Sequence, residues 1–96
     1  MIFLQLWEES FKDGNIIPDG CSLHIDKKSR DMYIDSIYSK RGGRIPKSYE
    51  RIVGEECEVE VSDSISEIVK RDLNVRLSEI ELNNLLGLKI INIVND

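Results

Sequence analysis

Three groups of residues have the types and spacing that could do chemistry. The first is Cys21 and His24, in C-x-x-H spacing, with Asp26 and the distant Cys57 as further donors. Tetrahedral zinc takes about four ligands, or three and a water. A second paired motif is missing, so Cys21 reads as core packing and His24 as a histidine bonded near the start of a helix. The same pair could act as thiolate and base, but that chemistry needs an oxyanion hole for which no pattern speaks. No catalytic residue, metal ligand or cofactor is therefore assigned.

The second group is Lys40, Arg41, Gly42, Gly43 and Arg44. Two glycines let backbone N–H groups converge on an anion, and two arginines can bond phosphate oxygens in bidentate fashion. The spacing is not that of a phosphate-binding P-loop, and the run follows a helix instead of preceding one. The competing reading is a glycine stop with solvated charges.

The third group is Glu56, Glu58 and Glu60, which alternate with Cys57, Val59 and Val61. Period two puts the carboxylates on one face of a half-buried strand and the apolar residues on the other. Carboxylates two apart on an exposed strand stay solvated, which disfavours acid–base or metal work. As a row they suit a basic surface on a protein partner.

The elements that must position these groups follow from pattern and punctuation. Residues 2–7 form an apolar run interrupted by Gln5, the signature of a strand covered on both faces. Trp7 and Phe11 read as core or semi-buried cover. A turn at Lys12-Asp13-Gly14-Asn15 makes Ile16 and Ile17 a short return segment, and Pro18-Asp19-Gly20 breaks the chain again. Residues 26–41 read as a helix capped by Asp26 and stopped by Gly42, with Met32, Tyr33, Ile34, Ile37 and Tyr38 on its buried side. The alternative there is a hairpin pairing residues 21–25 with 32–38.

Residues 44–54, with Pro46, read as a connecting loop in which Tyr49 and Arg51 either present an edge or cover the core. A helix follows with Ser64 and Glu67 as a capping box and Ile65, Ile68 and Val69 inward. A short strand over 73–77 leads to a second capping box, Ser78 with Glu81, and a helix stopped by Gly87. Residues 88–94 are the last strand.

Composition bounds the rest. Ninety-six residues, 41% hydrophobic and 32% charged, amount to one domain, residues 1–96, with enough apolar content to fold. A formal net charge of −5 disfavours nucleic acid. The opening MIFLQLWEES fits neither a signal peptide nor a membrane span, which places the expected setting in the cytoplasm. The two cysteines are expected reduced.

Three strings, PDGCSLH at 18–24, RDMYI at 30–34 and IPKSYERI at 45–52, resemble small uncharacterised proteins carried by bacteriophages. The resemblance brings no functional residue with it. It implies an intracellular setting and either an inhibitor of a host defence protein or a sponge for a nucleotide signal.

The expectation is an α+β domain: a sheet of about four strands packed by two or three helices, with the first and last strands central. The expected function is non-catalytic binding of a protein partner through Glu56, Glu58 and Glu60. The alternative is binding of a nucleotide or phosphate at residues 40–44, across an interface between copies because one small domain encloses little.

Overall fold

The computed structural model describes residues 2–10, 14–40, 50–72 and 75–94, with side chains for all of these except 9–10, 37–40 and 50–56. Strands β1 (Ile2–Ser10) and β2 (Ile16–His24) form a hairpin, and α1 (Lys27–Lys40) leads to β3 (Glu50–Val61). Then come α2 (Asp63–Arg71), β4 (Arg76–Leu77), α3 (Glu79–Gly87) and β5 (Ile91–Ile93). The sheet runs β4-β2-β1-β3-β5, with every neighbouring pair antiparallel. The architecture is α+β, with five strands instead of about four. None of the described helices is long and apolar enough to cross a membrane.

β1 lies at the centre because it has apolar or enclosed residues on both faces. Ile2, Leu4 and half-buried Leu6 point to one side, where they meet Leu23, Val59, Ile91, Val69 of α2 and Leu82 of α3. Each such side chain removed from water contributes about 1.5–3 kcal/mol. Gln5 and Trp7 point to the other side, where α1 lies against β1 and β2. The sheet is thus a middle layer between α1 and the α2–α3 pair.

The fifth strand is β2, which Pro18-Asp19-Gly20 does not break. Between the pairs Leu6–Cys21 and Glu8–Pro18, β2 carries one residue more than β1. Gly20, at φ +73°, sits within this bulge. At Pro18 the missing N–H is tolerated because β4 pairs only with Cys21 and Ser22, leaving β2 an edge there among the described residues.

β3 likewise starts earlier than expected. Residues 50–54 belong to the strand, and an irregularity between the pairs Gln5–Glu56 and Trp7–Ile52 hides its period. Phe11 and Tyr49 lie outside the described residues. The last strand is also displaced, since β5 is an edge strand of Ile91–Ile93 and not a central one.

The helix over the region after His24 is present, and the hairpin alternative is not. The Asp26 carboxylate accepts from the Ser29 N–H at 2.7 Å, capping α1. Tyr33 is buried and Ile34 half-buried, but Met32 faces solvent, and the side chains of Ile37 and Tyr38 lie outside the description. In α2 the N-cap is Ser62, without a side-chain cap bond, in place of the expected Ser64–Glu67 box. Val69 is buried and Ile65 half-buried, whereas Ile68 is exposed.

α3 forms the expected reciprocal box: Ser78 Oγ accepts from Glu81 N at 3.1 Å and Ser78 N donates to the Glu81 carboxylate at 3.0 Å. Gly87 remains within the helix. The left-handed residue after it is Lys89, at φ 58°.

Candidate functional site

On β3, Cys57, Val59 and Val61 face the α2–α3 layer, and alternation turns residues 58 and 60 to the opposite side. Glu58 is half-buried opposite Phe3, and Glu60 is exposed opposite Asn92, which is exposed too. The Glu56 backbone pairs with Gln5, but its side chain lies outside the description. The stripe therefore borders the β5 edge, on the side of the sheet that α1 covers at β1 and β2.

Lys40 is the last residue of α1, with its side chain outside the description, and Arg41, Gly42, Gly43 and Arg44 lie outside the described residues.

Cys21 and His24 do not come together. On a regular strand an odd separation turns side chains to opposite faces. Cys21 joins the apolar core and His24 the α1 side. Cys57 lies on the core face of β3, with β1 between it and Cys21, and neither cysteine is in a disulfide. Burial pushes the Cys21 thiol up to about 12, against the opposing pull of Arg76, so it remains protonated. Among the described residues no cluster of three or more histidine, cysteine or acidic side chains is placed to hold a metal ion.

What spacing did not suggest is a buried polar layer beneath α1. Gln5, Ser22 and His24 are each at most 1% exposed. Trp7 Nε1–H donates to Ser22 Oγ at 2.7 Å, and Ser22 Oγ lies 2.7 Å from His24 Nε2. Tyr33 of α1 packs its ring against both aromatic partners, 6.1 Å from Trp7 at a near-perpendicular angle and 5.3 Å from His24. Arg30 of α1 reaches Gln5 Oε1 at 3.4 Å, and the Arg76 guanidinium stands 5.1 Å over the Trp7 ring while binding the Asp19 carboxylate at 3.2 Å.

Counting hydrogens assigns the tautomer. His24 Nδ1 is buried without a hydrogen-bond partner among the described residues. If Nε2 donated to Ser22, the hydroxyl hydrogen and the Nδ1 lone pair would both go unused. If Ser22 donates to Nε2, only the Nδ1–H is left over, so the chain runs Trp7 to Ser22 to His24. Burial, reinforced by the Arg30 charge, lowers the His24 pKa to about 4 and keeps the ring neutral near pH 7.

A serine hydroxyl donating to a neutral imidazole is a nucleophile–base geometry. Here it is enclosed by the sheet and α1, and Ser22 Oγ already accepts from Trp7. The arrangement clamps α1 to the β1–β2 hairpin. Its signal in the sequence was the period-two alternation of Cys21, Ser22, Leu23 and His24, which the C-x-x-H spacing and the helix-start reading obscured.

The fold and site thus define a three-layer α+β protein with an acidic stripe beside a sheet edge and a sealed polar layer under one helix. No family model, curated protein or solved structure matches the chain.

Proposed function

We propose that this is a non-catalytic protein that binds a protein partner through the outer face of β3, where Glu58 and Glu60 meet a basic surface. The observation that carries this reading is their placement: exposed Glu60 and half-buried Glu58 share one side of β3 beside the short edge strand β5, opposite the apolar core. A net charge of −5 adds long-range attraction for a basic partner. The non-catalytic part of the reading draws support from the enclosure of Ser22 and His24, which denies a substrate access to their paired atoms. An inhibitor of a host defence protein is one role such a binder performs.

Affinity capture from the native host tests this. The expected outcome is a stoichiometric complex that weakens as ionic strength rises and the Debye length falls from about 10 Å at 0.1 M toward about 3 Å at 1 M. It is lost when Glu58→Lys and Glu60→Lys are combined. A complex indifferent to both changes overturns the assignment of this face.

A further inference from the structure

The ladder between β3 and β5 fixes which backbone groups of the edge strand are spoken for. Ser62 N donates to Ile90 O at 3.2 Å and Val94 N donates to Glu58 O at 3.0 Å, with Asn92 opposite Glu60 between them. The Ile90 carbonyl, Asn92 and the Val94 N–H therefore turn toward β3, while the Ile90 N–H is held by Leu85 O of α3 at 3.0 Å. In an antiparallel ladder the alternate residues turn theirs away. The N–H and C=O groups of Ile91 and Ile93 thus point out of the sheet, and no described strand lies beyond them.

The side chains around this edge sort by face. Ile91 is buried in the core, and Ile93, on the same face, is 51% exposed. Asn92 shares the opposite face with Glu60, its side-chain amide tied back to Lys89 O at 2.8 Å. A strand added beside β5 would lie two strand spacings, about 10 Å, from β3. Long basic side chains on its outer face can lean across Asn92 toward Glu60 and Glu58. Those on its other face meet Ile93.

We propose that the free edge of β5 receives an extended segment of the partner by main-chain pairing. Glu58 and Glu60 select basic side chains at alternate positions, and Ile93 takes an apolar side chain between them. This rests on the partner-binding reading above and supplies the partner's local chemistry. A second copy of this chain is disfavoured as occupant because it would bring acidic stripes toward each other on one face of a continuous sheet.

The probe is a short synthetic peptide of alternating lysine and valine, followed by calorimetry and compared with an alternating glutamate–valine peptide. The lysine peptide is expected to bind and the glutamate peptide not, with the preference reversed by Glu58→Lys with Glu60→Lys. Ile93→Pro deletes an outward N–H while leaving the β3 ladder bonds, and should weaken binding about tenfold or more with little change in melting temperature. Should that variant fold poorly, methylating alternate peptide nitrogens decides the matter, since one alternate set must abolish binding and the other spare it.

Failure of the lysine peptide to bind, or equal tolerance of both methylation patterns, overturns the edge proposal. So does a dimer of the protein alone that Ile93→Pro dissolves. If a complex captured from the host is lost on charge reversal yet survives Ile93→Pro, the edge proposal falls while partner binding by the stripe stands. Survival of both changes overturns both.

Discussion

Ser22 Oγ and His24 Nε2 are joined at 2.7 Å under α1, on the face of β2 opposite Cys21, and the His24 Nδ1–H is left buried without an acceptor among the described residues. This pairing makes a small polar layer the contact between one helix and the sheet. It also makes the chain's single histidine a reporter of how α1 is seated.

Acid should weaken the fold through that histidine. Its pKa falls from an ordinary 6.5 to about 4 in the folded protein, so between those values the unfolded chain binds more protons. The contribution is fully present above about 6.5 and is lost as pH falls toward 4, with a ceiling of about 3 kcal/mol at roughly 1.36 kcal/mol per unit. Asp26 and Glu81, held below the usual carboxylate range by the Ser29 and Ser78 N–H groups, act in the same direction in a lower window. Urea midpoints from pH 7.5 to 4 should slope downward in the wild type, and His24→Asn should flatten that slope. Titration of the single imidazole by NMR should give a midpoint well below 6.5. A midpoint near 6.5 refutes the burial argument.

Ser22→Ala should cost about 2–3 kcal/mol, because it strands the Trp7 N–H and takes the donor from His24 in an enclosed layer. Trp7→Phe also loses one donor but leaves Ser22 bonded to His24. Denaturation of both single variants and the double variant, followed by far-ultraviolet circular dichroism, should show coupling of at least about 0.5 kcal/mol. Strict additivity would mean the two side chains do not share a bond.

Much of the fold was legible where a local signal agreed with its tertiary use. Asp26 before a glycine-free run marked α1, the Ser78–Glu81 box marked α3, and the apolar run from Ile2 marked the central strand. Reading failed where the sheet bends. Pro18-Asp19-Gly20 has the chemistry of a turn, but here Gly20 supports a bulge inside β2, and the irregularity in β3 scrambled its period over residues 50–54. The acidic stripe was visible because two-residue alternation is local. The Trp7–Ser22–His24 layer was not, because it joins β1 to β2 through sheet pairing and is closed by Tyr33 from α1, and no spacing encodes that meeting.

The two helix starts separate a cap that bonds from one that does not. Ser78→Ala should cost about 1 kcal/mol, since the hydroxyl accepts from Glu81 N in a reciprocal box. Ser62→Ala should stay within about 0.5 kcal/mol, because its side chain makes no cap bond and lies 3.3 Å from Ser64 Oγ instead. Thermal melts of the two variants should therefore rank them clearly. Equal losses would mean that the Ser62 hydroxyl caps α2 in solution.

Gly20 and Gly14 give a matched test of the bulge. Both have positive φ, +73° and +90°, so alanine pays backbone strain of about 1–2 kcal/mol at either position. At Gly14 a Cβ meets nothing within 4 Å among the described residues, which leaves strain as the expected effect. At Gly20 the Cβ would overlap the Leu77 carbonyl and crowd Ser78, so β4 must move off β2 and Arg76 must shift from Trp7 and Asp19. Gly20→Ala should therefore destabilise by about 3 kcal/mol or more, with overpacking added to strain. The chain's single tryptophan supplies a second readout: its emission in the folded state should change in Gly20→Ala and remain as in the wild type in Gly14→Ala. Equal stability losses with unchanged emission would show that the close approach of Gly20 to Leu77 does not hold β4 against the hairpin.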